Sequence, residues 1–361
     1  MITISLCMIV KDEEDTLGRC LKSVKDIVDE IIIVDTGSSD NTKKVARRFT
    51  SRVYYFNWID DFSATRNYSF SKATMEYIMW LDADDVILEK DALKIRQLKA
   101  SIDPAVDIVM MKYNYGFDEN GQVTLSYFRE RLLKRSDNFK WNEPIHEYIQ
   151  PSGHIINSDI CITHKKTHPS VSDRNLKIFE KMIAEGKEFS PRNLFYYARE
   201  LYYNQRYYDA IKNFNEFLDC EKGWIEDRVS ACYDLSVCYT LTKEPEKRLK
   251  ALLRSFEFSI PRAEIFCQIG FHYLEAADYE KAIAWYNLAT KLTKPTDTWG
   301  FILHDCWDYI PNIQLCLCYD RLGNIDEAIK YNKKAAEYKP NDTAVLYNIN
   351  YFNNIKNYNK D

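Results

Sequence analysis

No window of this sequence reaches the ~18 uninterrupted apolar residues that a membrane-spanning helix needs, so a helical membrane anchor is not expected. Met1 to Val10 is apolar but has neither a basic leader nor a small-residue cleavage site, and the polar run Asp12 to Asp15 follows at once. It reads as a buried strand rather than an export signal. Paired CxxC spacing is missing among the ten cysteines. The only close pair, Cys316 and Cys318, lies two apart in a helical stretch where both cannot face one way. The cysteines read as reduced core residues of a cytoplasmic protein. Excess charge of one sign is also missing: 49 Lys and Arg against 54 Asp and Glu leave a net charge of -5, which argues against a general nucleic-acid binder. Lys43, Lys44, Arg47 and Arg48 fit a solvated helix face.

What is present is core material. The chain is 46% hydrophobic and 14% aromatic over 361 residues, far from a disordered profile. At ~150 residues per domain this suggests two or three domains, and two is the working number. From Ile2 to about Phe117 short β-rich runs alternate with helical stretches, the pattern of a mostly parallel sheet covered by helices. Strands are expected at Ile4 to Val10, Glu30 to Val34, Val53 to Phe56 and Tyr77 to Leu81. Further strands at Asp107 to Tyr115, Val123 to Lys134 and Ile155 to Thr163 close one edge.

Beyond about Ser170, Tyr, Ala, Leu and Phe recur at helical spacing and one phrase repeats. Tyr207-Tyr208-Asp209-Ala210-Ile211 returns as Tyr279-Glu280-Lys281-Ala282-Ile283 and Ile325-Asp326-Glu327-Ala328-Ile329, with Pro245-Glu246-Lys247-Arg248-Leu249 a degenerate copy. Ala210, Arg248, Ala282 and Ala328 are separated by 38, 34 and 46 residues. Such periods mean helix-hairpin repeats, in which a small Ala lets neighbouring helices approach closely. The long last spacing places an insertion around Thr293 to Tyr309, which reads as a repacked loop or a functional element.

The chemistry concentrates in Trp80-Leu81-Asp82-Ala83-Asp84-Asp85, at the end of an apolar strand. Three carboxylates there must open into a crevice, because packing them in a core costs more than it returns. Ligands of open α/β sheets bind outside the carboxyl ends of strands, where paired carboxylates can hold a divalent cation against nucleotide phosphates. The plainer reading is an acidic start to the next helix through Asp85 and Glu89. Lys11-Asp12-Glu13-Glu14 after the first strand, Asp35 to Thr42 after the second, and Phe62-Ser63-Ala64-Thr65-Arg66-Asn67 are expected along the same crevice. A nucleotidyltransferase would carry a glycine-rich basic loop where Lys11 to Glu14 stand, which ranks that class low.

In order and spacing these segments resemble glycosyltransferase family 2, with its GT-A fold, over roughly residues 2 to 165. The resemblance implies an α/β GT-A domain, a Rossmann-like mixed and mostly parallel sheet over 1–168, followed by an all-α tetratricopeptide-like helical repeat domain over 169–361. It implies nucleotide-sugar contacts at Ile9, Lys11, Glu13, Asp35, Arg66, Asp82 and Ala83. Thr36 stands where most members carry a second acidic residue, which leaves the nucleobase open. Asp82 and Asp84 match the DxD pair, with Asp84 the direct ligand of a divalent metal (Mn²⁺ or Mg²⁺), and His164 matches a late-strand His ligand.

Trp141-Asn142-Glu143-Pro144-Ile145-His146-Glu147 resembles a phrase in the branch that includes lipopolysaccharide-core and peptide glycosyltransferases. It implies Trp141 as a flat surface for a sugar, and Glu147, then His146, as the catalytic base. The bland alternative keeps Trp141 in the core and His146 and Glu147 on the surface. Arg131 and Arg135 are expected either at the phosphates or on a solvated face. The implied activity is inverting transfer from a nucleotide sugar, a UDP-sugar favoured, to a peptide or protein acceptor presented partly by the repeats. A saccharide or lipid-linked acceptor is the alternative, and a scaffold with a decayed transferase domain is the reading from another class. The repeats equally suit a homodimer.

Overall fold

The computed structural model describes residues 1–165, 173–220 and 222–358, with backbone alone for 356–358. It divides into two compact units, Met1–Lys187 with Asp297–Trp299, and Glu188–Thr296 with Gly300 onward. The expected boundary at 168/169 lies outside the described residues.

In the first unit the chain order is β1 (Ile4–Val10), α1 (Leu17–Val24), β2 (Glu30–Asp35), α2 (Thr42–Ala46), β3 (Val53–Tyr55), α3 (Phe62–Phe70), β4 (Tyr77–Trp80), β5 (Asp85–Val86) and α4 (Glu89–Ser101). There follow β6 (Ile108–Phe117), β7 (Val123–Lys134), β8 (Trp141–Asn142), β9 (Tyr148–Ile149), β10 (Ile155–His164) and α5 (Arg174–Ala184). The strands lie in the order β3-β2-β1-β4-β7-β6-β10-β5. β3, β2, β1 and β4 are mutually parallel, as are β6 and β10, while β7 runs antiparallel to both its neighbours. β8 and β9 form a separate hairpin.

The period of two explains why the central strands read as continuous apolar runs. In β1, Ile4, Leu6, Met8 and Val10 enter one core while Cys7 enters the other; in β4, Tyr77 and Met79 oppose Ile78 and Trp80. Both faces are covered, and Trp80 points to the face on which Phe70 and Trp141 pack. The register sets Val10 beside Asp35 and Cys7 beside Trp80, so β1, β2 and β4 finish at one edge and deliver their following turns to it.

In the second unit α6 (Pro191–Tyr203) pairs with α7 (Tyr207–Asp219), α8 (Ile225–Leu241) with α9 (Pro245–Arg254), α10 (Ala263–Glu275) with α11 (Tyr279–Ala289), and α12 (Tyr309–Arg321) with α13 (Ile325–Tyr338). α14 (Thr343–Tyr358) follows. The repeated phrase opens the second helix of each hairpin, and Ala210, Ala282 and Ala328 are fully buried there. Arg248 takes the same place and is buried against Glu275 and His272. Each hairpin turns through one left-handed residue, Gln205, Lys243, Ala277 or Gly323, with φ of 62°, 61°, 56° and 74°. All ten thiols are free and eight are buried. Cys316 and Cys318 are both buried, because α12 is covered by α11 on one side and α13 on the other. No described helix is long and apolar enough to cross a membrane.

Buried acids in this unit carry a cost that pH reveals. Asp227 is 3% exposed, with Arg192 at 3.9 Å; burial pushes its carboxyl up to about 6, against the pull of Arg192 and Arg199. The folded state therefore binds this proton more tightly than the unfolded chain does. Stability is lost as pH rises from the ordinary 3.8 through about 6. Asp227→Asn should raise stability by on the order of 3 kcal/mol at pH 7.5 and leave it nearly unchanged at pH 3, below both pKa values, as read from thermal melts at the two pH values.

Candidate active site

The edge at the strand ends is built from turns that tie each other down. After β1 the chain passes Lys11 to a left-handed Asp12 (φ 52°), whose carboxylate accepts the Ser39 N–H at 2.8 Å. The Glu13 N–H donates to Thr42 Oγ1 at 2.6 Å, and the Asn41 N–H donates to Glu14 at 2.9 Å. Gly37, at φ 103°, supplies the turn that lets β2 meet this loop. Ile9 is half-buried at the same edge, Lys11 is exposed, and Ala83 is buried in the acidic turn.

Asp35, a nucleotide contact implied by the resemblance, lies at the end of β2. It is 1% exposed and accepts the N–H groups of Gly37 at 3.1 Å and Ser38 at 3.2 Å. Its carboxylate shapes the turn through these bonds.

Arg66 is placed by α3, whose first turn is capped by Asp61 accepting from the Ala64 N–H at 2.8 Å. It is 7% exposed. Its Nη2 donates to Asp82 Oδ1 at 2.7 Å and its Nε to Glu147 Oε1 at 2.7 Å, so one guanidinium spans two carboxylates. The charge also sits 4.9 Å from the ring centres of both Trp80 and Trp141. Burial lowers the Arg66 pKa, but Asp82 and Glu147 reverse this and raise it. Burial alone would raise the Asp82 carboxyl, yet Arg66, Arg131 and Arg129 outweigh it and hold it at about 2.

The neighbouring Asn67 clamps the hairpin that carries Glu147: its side chain accepts the Trp141 N–H at 2.9 Å and donates to the Trp141 carbonyl at 3.0 Å. The loop it holds is strained, with Glu143 at φ 68° and His146 at φ 50°. Glu147 thereby faces Arg66, whereas the His146 ring stacks on Phe179 of α5 at 6.1 Å. Trp141 does not fulfil its expected role. It is 3% exposed, edge-on to Phe70 and Trp80, with Arg66 over it, so no ring face remains for a sugar. It positions Arg66.

On the other side of the acidic turn the expected metal set is rearranged. Asp82 is committed to Arg66, and Asp84, Asp85 and His164 offer ligand atoms within 4.8 Å of one another. His164 arrives because β10 pairs with the two-residue β5, which puts His164 directly opposite Asp85. His164 Nδ1 lies 3.5 Å from Asp84 Oδ1 and 2.9 Å from the Tyr113 hydroxyl. Asp85 is fully buried, and its oxygens receive Arg131 at 3.1 Å, the Tyr113 hydroxyl at 2.8 Å and the Asp82 N–H at 3.0 Å. Asp85 thus folds the acidic turn and orients its neighbours, leaving Asp84 and His164 as the accessible pair.

Burial lowers the His164 pKa, but Asp84 and Asp85 raise it to about 9. Burial also raises Glu13, a bond from Thr16 opposes this, and Asp84 and Asp82 push it up further. Carboxylates crowded around an imidazole form a donor set that fits a divalent cation.

Arg131 lies neither at the phosphates nor on a solvated face. Fully buried, it pairs with Asp85 and stacks 3.8 Å from Trp80. Arg135 donates to the Met75 carbonyl at the opposite end of β4, away from the acidic turn. Tyr113 carried no signal in the sequence.

Fold and site together define an α/β domain with its polar machinery at the carboxyl ends of parallel strands. Residues 5–160 match the family described as glycosyl transferase family 2, and 263–295 and 313–342 match the tetratricopeptide repeat, so the chain carries a family 2 glycosyltransferase domain followed by such repeats. It is similar to a TPR repeat-containing protein of Synechococcus elongatus, 36% identical over 42% of this chain and 36% of that protein. It is similar to the glycosyltransferase SunS of Bacillus subtilis, 28% identical over 64% of this chain and 58% of that protein. The lipopolysaccharide core biosynthesis glycosyltransferase LpsC of Rhizobium meliloti is 23% identical over 52% of this chain and 68% of its own length. The chain thus spans between about a third and three fifths of the first two relatives.

Proposed function

We propose that the chain is a metal-dependent, inverting glycosyltransferase that moves a sugar from a nucleotide-sugar donor, a UDP-sugar first, to a side chain of a peptide or protein. The observation that carries this reading is the placement of Arg66 between Asp82 and Glu147, beside the Asp84–His164 pair. The nucleotide lies across the ends of β1 and β2, near Ile9, Lys11 and Glu13. Asp84 and His164 hold a divalent cation, which supplies charge neutralisation of the diphosphate. The imidazole in that set suits Mn²⁺ better than Mg²⁺, which favours oxygen ligands.

Arg66 stabilises negative charge on the leaving diphosphate as the bond from the sugar C1 to the phosphate oxygen breaks. Glu147 accepts the acceptor's proton as the new bond to C1 forms on the opposite face. Arg66 takes Oε1 of Glu147, and the proton goes to Oε2. The tetratricopeptide repeats support a polypeptide acceptor, and the free, mostly buried thiols support a cytoplasmic setting. Similarity to LpsC favours one second reading, a saccharide or lipid-linked acceptor.

The test is a panel of UDP-, GDP- and dTDP-sugars with Mn²⁺ or Mg²⁺, following free nucleoside diphosphate with and without candidate peptides and glycans. Absence of both turnover and thermal shift with every donor would sink the transferase reading in favour of a scaffold, and pyrophosphate release would indicate nucleotidyl transfer. Asp84→Ala should abolish metal-dependent UDP binding while leaving the melting temperature of the protein alone nearly unchanged; calorimetric titration of UDP with and without Mn²⁺ checks it.

A further inference from the structure

The insertion after α11 does more than lengthen a loop. α6, α8 and α10 are the first helices of three successive hairpins and lie side by side, Arg199 pairing with Asp234 at 3.1 Å and Gln268 donating to the Tyr233 hydroxyl at 3.1 Å. The segment Gly300–Trp307 runs along this row. Gly300 backs onto Glu226 so closely that a Cβ would overlap the carboxylate, which Arg262 holds with two bonds of 2.7 Å. The ring of Phe301 sits 5.0 Å from the Arg199 guanidinium. The Leu303 N–H and the Trp307 indole N–H both donate to Glu264 Oε1, at 3.1 and 2.7 Å, and Cys267 donates to the Cys306 carbonyl at 3.4 Å.

Glu264 is 8% exposed, and a buried carboxylate is costly unless hydrogen-bonded. Both donors to Oε1 come from a segment that belongs to no repeat helix. The other hairpins are built without such a segment, as the shorter spacings of 38 and 34 residues show, so it is not required to make a hairpin. What the helices offer is a buried acid that takes a main-chain amide and an indole, together with a cation under an aromatic ring. These are the elements that read an extended peptide, and repeat arrays present such surfaces for that purpose.

We propose that the face formed by α6, α8 and α10 is a binding site for an extended, aromatic-bearing peptide, and that Gly300–Trp307 is its resident ligand within the chain. A tethered ligand acts at an effective concentration on the order of millimolar, so a free peptide reaches this face only by displacing it. A polypeptide brought to the repeats through this face must therefore compete with the chain's own segment. The inference is independent of sugar transfer.

The test uses the full chain and needs no turnover. Hydrogen exchange should show the Leu303 amide protected in the native protein. In a variant with residues 300–307 replaced by Gly and Ser in equal number, and helical content verified by circular dichroism, a fluorescent peptide of sequence Gly300–Trp307 should bind at least about tenfold more tightly than to the native chain. Glu264→Gln in that background should weaken binding by about tenfold or more, since it removes a charged acceptor of two bonds. Should the replacement not fold, Gly300→Val, which drives the segment off Glu226, should speed exchange at Leu303 and raise peptide affinity. Equal affinity of the native and emptied chains, absence of binding by a folded emptied chain, an unprotected Leu303 amide, or an unaltered Gly300→Val protein would each overturn the proposal.

Discussion

Arg66→Lys is expected to reduce sugar transfer by ~10²–10³-fold, the cost of losing one preorganised donor at a developing charge. An ammonium cannot fork between Asp82 and Glu147 as the guanidinium does, nor lie flat against Trp80 and Trp141. The effect should fall on kcat more than on KM, because the guanidinium matters most as the diphosphate leaves. Arg66→Ala goes further and leaves two carboxylates without their shared cation. Removing one partner of a buried pair costs about 3–5 kcal/mol, and the low end applies because Asp82 is 38% exposed. Steady-state release of nucleoside diphosphate checks the first change and chemical denaturation the second. A lysine variant with native kcat would remove Arg66 from the chemistry.

The second large effect is expected from Glu147→Gln. The amide keeps the size and shape of the side chain but cannot take a proton, so UDP binding should persist while transfer slows by ~10²–10⁴-fold, the range of general-base contributions. Donor affinity by calorimetry and single-turnover transfer separate the two. Unaltered transfer would shift the base to His146, whose ring lies against Phe179 and not beside Arg66.

The sheet and the hairpins were legible because both are written as periodicities. The strand expected over 123–134 is the strand observed, and the repeated phrase falls at the start of α7, α9, α11 and α13. The site was less legible because its pieces are joined by pairings that leave little trace in sequence. A two-residue strand sets His164 opposite Asp85 and beside Asp84, a pairing too short to be seen in the sequence, while Asp82, expected to share the cation, pairs with Arg66. Arg131 was expected at the phosphates or on a solvated face, yet it is sealed between Asp85 and Trp80, since a guanidinium can be buried when its charge and its flat face are both matched. Trp141 was expected to face a sugar on the resemblance of its phrase, with a place in the core as the alternative, and the core is where it lies. Asn67 folds it inward by holding both its backbone groups. Asp35 lies at the expected strand end but turns into its own loop, a choice made by the Gly37 and Ser38 amides.

The left-handed residue at the bend of every hairpin gives the repeat unit room for engineering. Only Gly323 is of the type for which that conformation is free; Gln205, Lys243 and Ala277 are exposed L-residues, each paying about 1 kcal/mol or more for it. Exchanging these three for glycine alters only exposed side chains. Tolerance to mutation elsewhere in the chain can therefore be increased at the hairpin bends, leaving the chemistry of the strand ends as it is.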